Sequence, residues 1–206
     1  MTAVSRQEKA EVGIKIKSTV RAFSAERKIG AKEEIMEKVK LGIIGIGNMG
    51  SVHLGNILKG KVPDLELAAV ADRKESRRAQ LRETLPAAIE IFEEGRELIE
   101  RGSVAAVLIA VPHYQHPELS IAAFWKGLHV LCEKPAGVYT KQVREMNEAA
   151  KKSDVVFAMM FNQRTNCIYR KIHEMIENGE IGAIRRVNWI TTTRSEERRV
   201  GKECRS

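Results

Sequence analysis

Short apolar runs alternate with amphipathic segments along most of the chain. The apolar runs are 39–45 (VKLGIIG), 65–71 (LELAAVA), 105–111 (AAVLIAV), 129–133 (HVLCE) and 155–160 (VVFAMM). Most of them are apolar almost throughout, which is typical of parallel strands that are covered by helices on both faces. The pattern therefore predicts a parallel strand in each of these runs.

The segments between the runs have the spacing of amphipathic helices. Three of them are long enough to cross from one parallel strand to the next, namely 75–85, 117–126 and 141–152. Regular alternation of strands and helices predicts an α/β fold with a doubly wound parallel sheet. We expect this domain to end near Phe161.

A different pattern follows the doubly wound domain. Apolar residues recur at helical spacing in residues 166–182, which predicts a helix that ends around Gly179. Apolar and polar residues then alternate in residues 183–193, which indicates the opening strand of a separate, antiparallel sheet. The chain is thus predicted to hold only the start of a second, α+β domain.

Length and charge set limits on the function. The chain has 206 residues, 43% of them hydrophobic, and a formal net charge of +8, which is enough sequence for one domain and part of a second. Eight Lys or Arg and five Asp or Glu lie in residues 1–35, and five and three lie in 194–206, so only +3 remains for residues 36–193. Because no aromatic residues are interleaved with the basic ones, we expect no nucleic-acid partner.

The cysteines and the apolar runs indicate the compartment. Cys132, Cys167 and Cys204 have neither paired spacing nor a metal-ligand pattern, which favours a reducing environment. No run is long enough to span a bilayer, and no continuous apolar stretch follows the basic N-terminal residues. We therefore expect a cytoplasmic protein without a membrane partner.

The strongest local feature is the glycine motif GIIGIGNMG, which directly follows the first predicted strand. Gly45 is expected to make a tight turn, Gly47 to let the backbone approach a pyrophosphate, and Gly50 to allow close packing of helix on strand. The N–H groups of Asn48 and Met49 would face the phosphates at the positive end of a helix. This indicates a dinucleotide site of the Rossmann type. Its predicted residues are Gly45, Ile46, Gly47, Asn48, Met49 and Gly50.

Asp72 ends the second predicted strand, 27 positions after Gly45. A carboxylate there can accept hydrogen bonds from both adenosine ribose hydroxyls and repels a 2′-phosphate, which favours NAD. Arg73 can pair with that phosphate or stack on the adenine, which leaves NADP open, or it is simply an exposed charge. A methyltransferase also has a glycine-rich first loop and an acid after its second strand, so residues farther along must separate the two.

A third motif, VLCEKPAG (130–137), places Glu133, Lys134 and Pro135 just beyond a buried strand, at the edge where such sheets bind ligands. Together with the glycine loop, AVPHYQH (110–116) and FNQR (161–164), it resembles the Gfo/Idh/MocA family of NAD(P)-dependent sugar and polyol oxidoreductases. The similarity runs in order from residue 39 to residue 193.

The resemblance implies roles for particular residues. In that family, the lysine that matches Lys134 lies beside the nicotinamide and the reacting hydroxyl, which implies a catalytic role in orienting the alcohol and relaying its proton. Other matching residues are implied to line the cofactor cleft: Ala110, Pro112, His116, Glu133, Asn162 and Arg164.

The motif AVPHYQH contains two histidines, His113 and His116. His113 stands where the family has asparagine, so its contact with the cofactor is not carried over. His116 is carried over as a residue near the cofactor, and it is also placed to cap the following helix. No third or fourth ligand accompanies this His-x-x-His pair, so we expect no metal site.

The function implied by the resemblance is hydride transfer between NAD, or NADP, and a secondary alcohol of a sugar or cyclitol, as in inositol dehydrogenases. The family's substrate domain would follow the last predicted strand, so we expect the chain to bind NADH without turnover. The full-length parent is expected to be a homo-oligomer. A dinucleotide-binding regulatory protein without catalysis is the alternative.

Both ends of the chain look foreign to the domain. Residues 194–206 match the translation of a common short-read sequencing adapter, although a natural basic tail is the alternative. Residues 32–36 can be encoded as a ribosome-binding sequence and a start codon, which predicts translation from Met36, whereas a disordered natural extension would look similar. The expected divisions are a leader (1–35), a dinucleotide-binding domain (36–161), the start of a substrate domain (162–193) and an artefactual tail (194–206).

Overall fold

The computed structural model describes residues 37–190. Within this range, six strands form one sheet in the order β3-β2-β1-β4-β5-β6, and every neighbouring pair is parallel. The fold is the predicted doubly wound α/β sheet of the Rossmann type. The strands are β1 (Val39–Ile44), β2 (Leu65–Ala71), β3 (Glu90–Phe92), β4 (Ala106–Ile109), β5 (His129–Cys132) and β6 (Phe157–Met159).

Helices connect the strands, and the helices predicted from apolar spacing are confirmed. Short 3₁₀ turns precede two of them, at His113–Gln115 and Asn162–Thr165. The helices are α1 (Asn48–Leu58), α2 (Glu75–Thr84), α3 (Gly95–Arg101), α4 (His116–Trp125), α5 (Thr140–Lys152) and α6 (Cys167–Glu177).

Two elements, β3 and α3, were not predicted from the sequence. β3 has three residues and α3 has seven, so neither is long enough to show a period. Only Leu98 and Ile99 of α3 are buried, which is too few to outline an apolar face. β3 nevertheless forms one edge of the sheet, and α3 connects it to β4.

The central strands bury side chains on both faces. Ile43 belongs to a hydrophobic cluster beneath α1 and α2, whereas Ile44 belongs to a second cluster beneath α3, α4 and α5. In β4, Val107 and Ile109 enter the second cluster and Leu108 enters the first. This two-sided burial explains why the strands are apolar almost throughout.

The α1 face of the sheet is only partly covered within residues 37–190. An apolar groove of about 400 Å³ lies over β4, β5 and β6. Leu108, Leu131 and Ala158 are among its lining residues, and Ile57 of α1 forms part of its rim. The expectation of helices on both faces therefore holds for the centre of the sheet but not for the β5–β6 side.

The residues after the sheet differ in part from the prediction. The predicted helix is confirmed as α6, and the Asn166 side chain accepts a hydrogen bond from the backbone N–H of Ile168 at 2.9 Å. Residues 183–190 form no strand, because a strand needs a partner to pair with and no described strand lies beside them. The predicted strand residues 191–193, the leader with Met36 and the tail at 194–206 lie outside the described residues.

Candidate functional site

The predicted site residues follow the carboxyl ends of neighbouring strands. Strand pairing continues one residue past β1, β4 and β5: the N–H of Ala110 donates to the carbonyl of Ile44 at 2.8 Å, and the N–H of Glu133 donates to that of Ile109 at 2.9 Å. Gly45, Ala110 and Glu133 therefore stand side by side. Strand order reverses between β1 and β4, where open α/β sheets bind their ligands.

The three glycines of the first motif have different surroundings. Gly45 has φ +90°, and a Cβ there would lie 2.8 Å from the carbonyl oxygen of Ala110. A Cβ on Gly50 would overlap the carbonyl oxygen of Gly45, so α1 packs directly on the turn. Gly47 has open space, with no atom within 4 Å of the position of a Cβ. This opening lets the backbone be approached closely by a ligand.

The start of α1 is suited to an anion. Gly47 is the N-cap residue, its helix has no side-chain cap, and no acidic residue lies in the first turn. The N–H groups of Asn48 and Met49 have no acceptor within the helix and lie at the positive end of its dipole. The loop thus fits the pyrophosphate of a dinucleotide, on geometry that does not depend on the motif.

Asp72 is hydrogen-bonded to the glycine loop. The N–H of Ile46 donates to Oδ2 of Asp72 at 2.9 Å, and the N–H of Lys74 donates to Oδ1 at 2.9 Å. A carboxylate oxygen has two acceptor positions, so each oxygen can still accept a ribose hydroxyl. Asp72 is therefore both a brace between two βα turns and a candidate ribose ligand.

Arg78 on α2 supports this turn, a role that no motif in the sequence indicated. Its guanidinium is buried, and Nη1 donates to the carbonyl oxygens of Asp72 at 2.8 Å and Arg73 at 2.9 Å. Its Nη2 contacts the carboxylate of Glu93 at 3.2 Å. Arg78 shares the buried side of α2 with Leu81, and a charged residue at such a helix position is the signal that could have identified it.

A cavity of about 300 Å³ opens beside Asp72, between the ends of β1, β2 and β3 and the start of α4. Arg73 crosses this side of the site: its Nε donates to the two carboxylate oxygens of Glu94 at 2.9 and 3.1 Å. This hydrogen bond is the main reason that the pKa of Arg73 is raised. The charged lining residues are Asp72, Arg73, Glu93, Glu94, Arg96 and Glu118.

The turn after β5 is linked to α1. Glu133 is buried, and its Oε1 lies 2.8 Å from Nε2 of His53, while Oε2 accepts a hydrogen bond from the N–H of Lys134 at 3.2 Å. The side chain of Lys134 is exposed, and the Lys134–Pro135 peptide is cis. No motif in the sequence assigns His53 a role in the site. His53 lies in α1, three residues after Gly50, and the packing of α1 on the sheet brings it to Glu133.

His116 is completely buried at the start of α4. Its Nδ1 lies 2.7 Å from the carbonyl oxygen of Pro135, and its Nε2 lies 2.8 Å from that of Val111. The ring does not face the cavity and does not cap the helix; it joins the segment after β4 to the turn after β5.

Three other predicted residues are exposed. Pro112 precedes the first 3₁₀ turn, and Asn162 and Arg164 lie in the second, after β6. The Arg164 guanidinium stands 5.3 Å from the centre of the Phe161 ring. Because β6 lies three strands from β1, roughly 14 Å at the usual strand spacing, only an elongated ligand can contact both Gly47 and Arg164.

Residues 37–190 hold neither a metal-binding cluster nor a membrane-spanning helix. In this range, no three His, Cys, Asp or Glu side chains are grouped closely enough to hold a metal ion. The helices of the same range are too short or too polar to cross a bilayer.

Comparison with known proteins relates this geometry to a family. The model of an oxidoreductase family with an NAD-binding Rossmann fold matches residues 39–161. A myo-inositol 2-dehydrogenase of Thermotoga maritima is 35% identical over 144 residues, which are 70% of this chain and 42% of the relative. A D-glucoside 3-dehydrogenase of Escherichia coli is 30% identical over 158 residues, which are 76% of this chain and 43% of the relative.

Solved structures give the same result for the fold. A scyllo-inositol dehydrogenase from Lactobacillus casei, solved with bound NAD(H) and scyllo-inositol, superposes with a TM-score of 0.68 at 26% identity. The match covers 72% of this chain and 43% of that one. The chain thus spans less than half the length of the relatives that it matches. By its sequence over residues 39–161 and by its fold, the chain belongs to the Gfo/Idh/MocA family of NAD-binding Rossmann oxidoreductases.

Proposed function

We propose that the chain is the cofactor-binding part of an NAD-dependent oxidoreductase that acts on a secondary alcohol of a sugar or cyclitol. One observation carries this proposal: the uncapped N-terminus of α1, the Asp72 carboxylate and the turn at Lys134 all lie at the carboxyl edge of one sheet. An elongated ligand with a central diphosphate fits that row of groups.

Each part of the row has a defined role in binding. The N–H groups at the start of α1 would bind the pyrophosphate, and Gly47 would leave it room. Asp72 would accept hydrogen bonds from the adenosine ribose. Asn162 and Arg164, beyond β6, would line the opposite end of the cleft.

Lys134 is the residue of this chain that we place at the reaction. A nicotinamide cofactor held in this cleft would supply the hydride chemistry at the substrate carbon. Nζ of the exposed Lys134 would orient the substrate hydroxyl by a hydrogen bond and would relay its proton, releasing one proton onward as it accepts that of the hydroxyl. Glu133 would fix the start of this turn, since its carboxylate accepts from the backbone N–H of Lys134 at 3.2 Å.

The substrate class rests on the relatives. Proteins named inositol 2-dehydrogenase or D-glucoside 3-dehydrogenase oxidise cyclitols or sugars, and we carry that class of substrate to this chain. We propose a cofactor domain at 36–161 and the start of a substrate domain at 162–193. We also propose a homo-oligomeric parent in the cytoplasm, where the free thiols of Cys132 and Cys167 stay reduced.

Calorimetric titration with NADH and with S-adenosylmethionine tests this proposal. We expect NADH to bind to the 206-residue chain at one site, S-adenosylmethionine not to displace it, and no NADH to form when the chain is mixed with NAD and myo-inositol. Displacement by S-adenosylmethionine would contradict an oxidoreductase, and turnover would contradict the division between cofactor and substrate residues.

A further inference from the structure

The backbone that carries Arg73 is fixed from two sides. Asp72 accepts hydrogen bonds from the N–H groups of Ile46 and Lys74, both at 2.9 Å. The buried Arg78 donates to the carbonyls of Asp72 and Arg73 at 2.8 and 2.9 Å. The backbone of Arg73 is therefore held in place, and only its side chain is free to change its contacts.

In this structure that partner is Glu94. Nε of Arg73 donates to both carboxylate oxygens, at 2.9 and 3.1 Å, along the wall of the cavity beside Asp72. The two side chains are 63% and 50% exposed, so either one can be replaced without leaving a buried charge behind. Glu94 also stands at the N-cap of α3, and its side chain makes no capping hydrogen bond to that helix.

A 2′-phosphate on the adenosine ribose would enter this same corner. It would meet the carboxylates of Asp72 and Glu94, and Arg73 is the nearest cation in sequence to the ribose ligand. While Arg73 is paired with Glu94, its charge is already neutralised, and a phosphate gains little from it. A dinucleotide without the 2′-phosphate does not need this arginine.

We propose that Glu94 is a positioning residue that sets the preference for NAD over NADP by holding the Arg73 side chain. The inference rests on the proposed function, because it assigns the adenosine end of that cofactor to this corner. Repulsion of the 2′-phosphate by Asp72 would not need this ion pair. In the proposed arrangement the cofactor preference depends on the pair between Arg73, which follows β2, and Glu94, which follows β3.

The test compares the dissociation constants of NADH and NADPH for the intact 206-residue chain, measured by calorimetry. In Glu94→Ala, we expect NADPH affinity to rise about fivefold and NADH affinity to stay within about twofold, because Arg73 becomes free to pair with the phosphate. In Arg73→Ala alone, the ratio of the two constants should change by less than about twofold. The double variant should lose the gain.

Glu118→Ala is the matched control. Glu118 lines the same cavity and pairs with another arginine, Arg96, at 2.7 Å, and its side chain is exposed to a similar degree. An equal gain in NADPH affinity in this variant would show that net charge sets the preference and would overturn the proposal. A gain in Glu94→Ala that survives removal of Arg73 would also overturn it. Binding of neither nucleotide to the unaltered chain would refute the proposed function itself, whereas NADH binding with an unchanged ratio in Glu94→Ala would refute only this inference.

Discussion

At the residue scale, the site depends on polar side chains that bind backbone groups of neighbouring turns. Arg78 donates to the two carbonyls after β2, Asp72 accepts from the loop after β1, and His116 joins the segment after β4 to the turn after β5. Each is partly or fully buried, where a polar group is costly unless it is hydrogen-bonded. These residues hold the cofactor corner before any ligand arrives.

Replacing Arg78 tests this support. Arg78→Ala leaves the carbonyls of Asp72 and Arg73 without their donor, so we expect the free energy of unfolding to fall by about 1–3 kcal/mol and NADH to bind more weakly. Urea denaturation and calorimetry measure the two effects. Arg77→Ala is the neighbouring control, because the Arg77 guanidinium hydrogen-bonds the exposed side chain of Gln80, at 3.5 Å, rather than the carbonyls of the turn. Equal losses in both variants would contradict a specific role for Arg78.

The two described cysteines are expected to differ in reactivity because they differ in burial. Burial raises the pKa of Cys132 to about 12, whereas Cys167 is exposed. The thiolate is the reactive form, so in a Cys204→Ser background we expect iodoacetamide to modify Cys167 at pH 8 and Cys132 only after unfolding. Peptide mass spectrometry gives the rates. Modification of Cys132 as fast as that of Cys167 would show that β5 is not buried as described.

The raised pKa of Cys132 predicts that its contribution to the free energy of unfolding falls as the pH rises. An unfolded cysteine has a pKa of about 8.5, so between that value and the raised one the folded chain keeps a proton that the unfolded chain releases. The contribution of Cys132 is complete below the unfolded pKa and declines as the pH rises. Urea denaturation at several alkaline pH values should show less pH-dependent loss in Cys132→Ala than in the unaltered chain.

At the element scale, sequence pattern predicts what is long and periodic. The five apolar runs became β1, β2, β4, β5 and β6, whereas β3 and α3 are too short for a period to show. The alternating segment 183–190 has the pattern of a strand but no partner among the described strands, and pairing is not encoded in one segment alone. Local pattern thus specifies the elements but not their neighbours.

The contact between α1 and the first turn gives the sharpest prediction at this scale. In Gly50→Ala, the added Cβ overlaps the carbonyl oxygen of Gly45, and neither group can rotate away, so we expect a loss of about 1–3 kcal/mol in the free energy of unfolding and weaker NADH binding. Gly55→Ala is the matched control on the same helix. A Cβ there meets no atom within 4 Å, so we expect stability to rise by about 0.5–1 kcal/mol from helix propensity. Similar changes in both variants would contradict the close packing of α1 on the turn.

At the scale of the whole molecule, contacts between distant segments assemble the site. The motifs predicted which residues follow the strand ends, because the carboxyl ends of parallel strands share one edge. They could not predict that His53 contacts Glu133, 80 positions away, or that His116 bonds Pro135, because both depend on how α1 and α4 pack on the sheet. Partners that are far apart in sequence are the part of the site that the pattern leaves undetermined.

The most direct test of the central claim is NADH binding by the Gly47→Ala variant, measured by calorimetry together with its thermal unfolding. Gly47 has φ −76°, which alanine adopts, and a Cβ there meets no protein atom within 4 Å, so the fold should tolerate it. The same Cβ would occupy the space that we assign to the pyrophosphate. We expect an unchanged Tm and an NADH affinity reduced by about tenfold or more. NADH binding as tight as that of the unaltered chain would contradict a dinucleotide site at this loop.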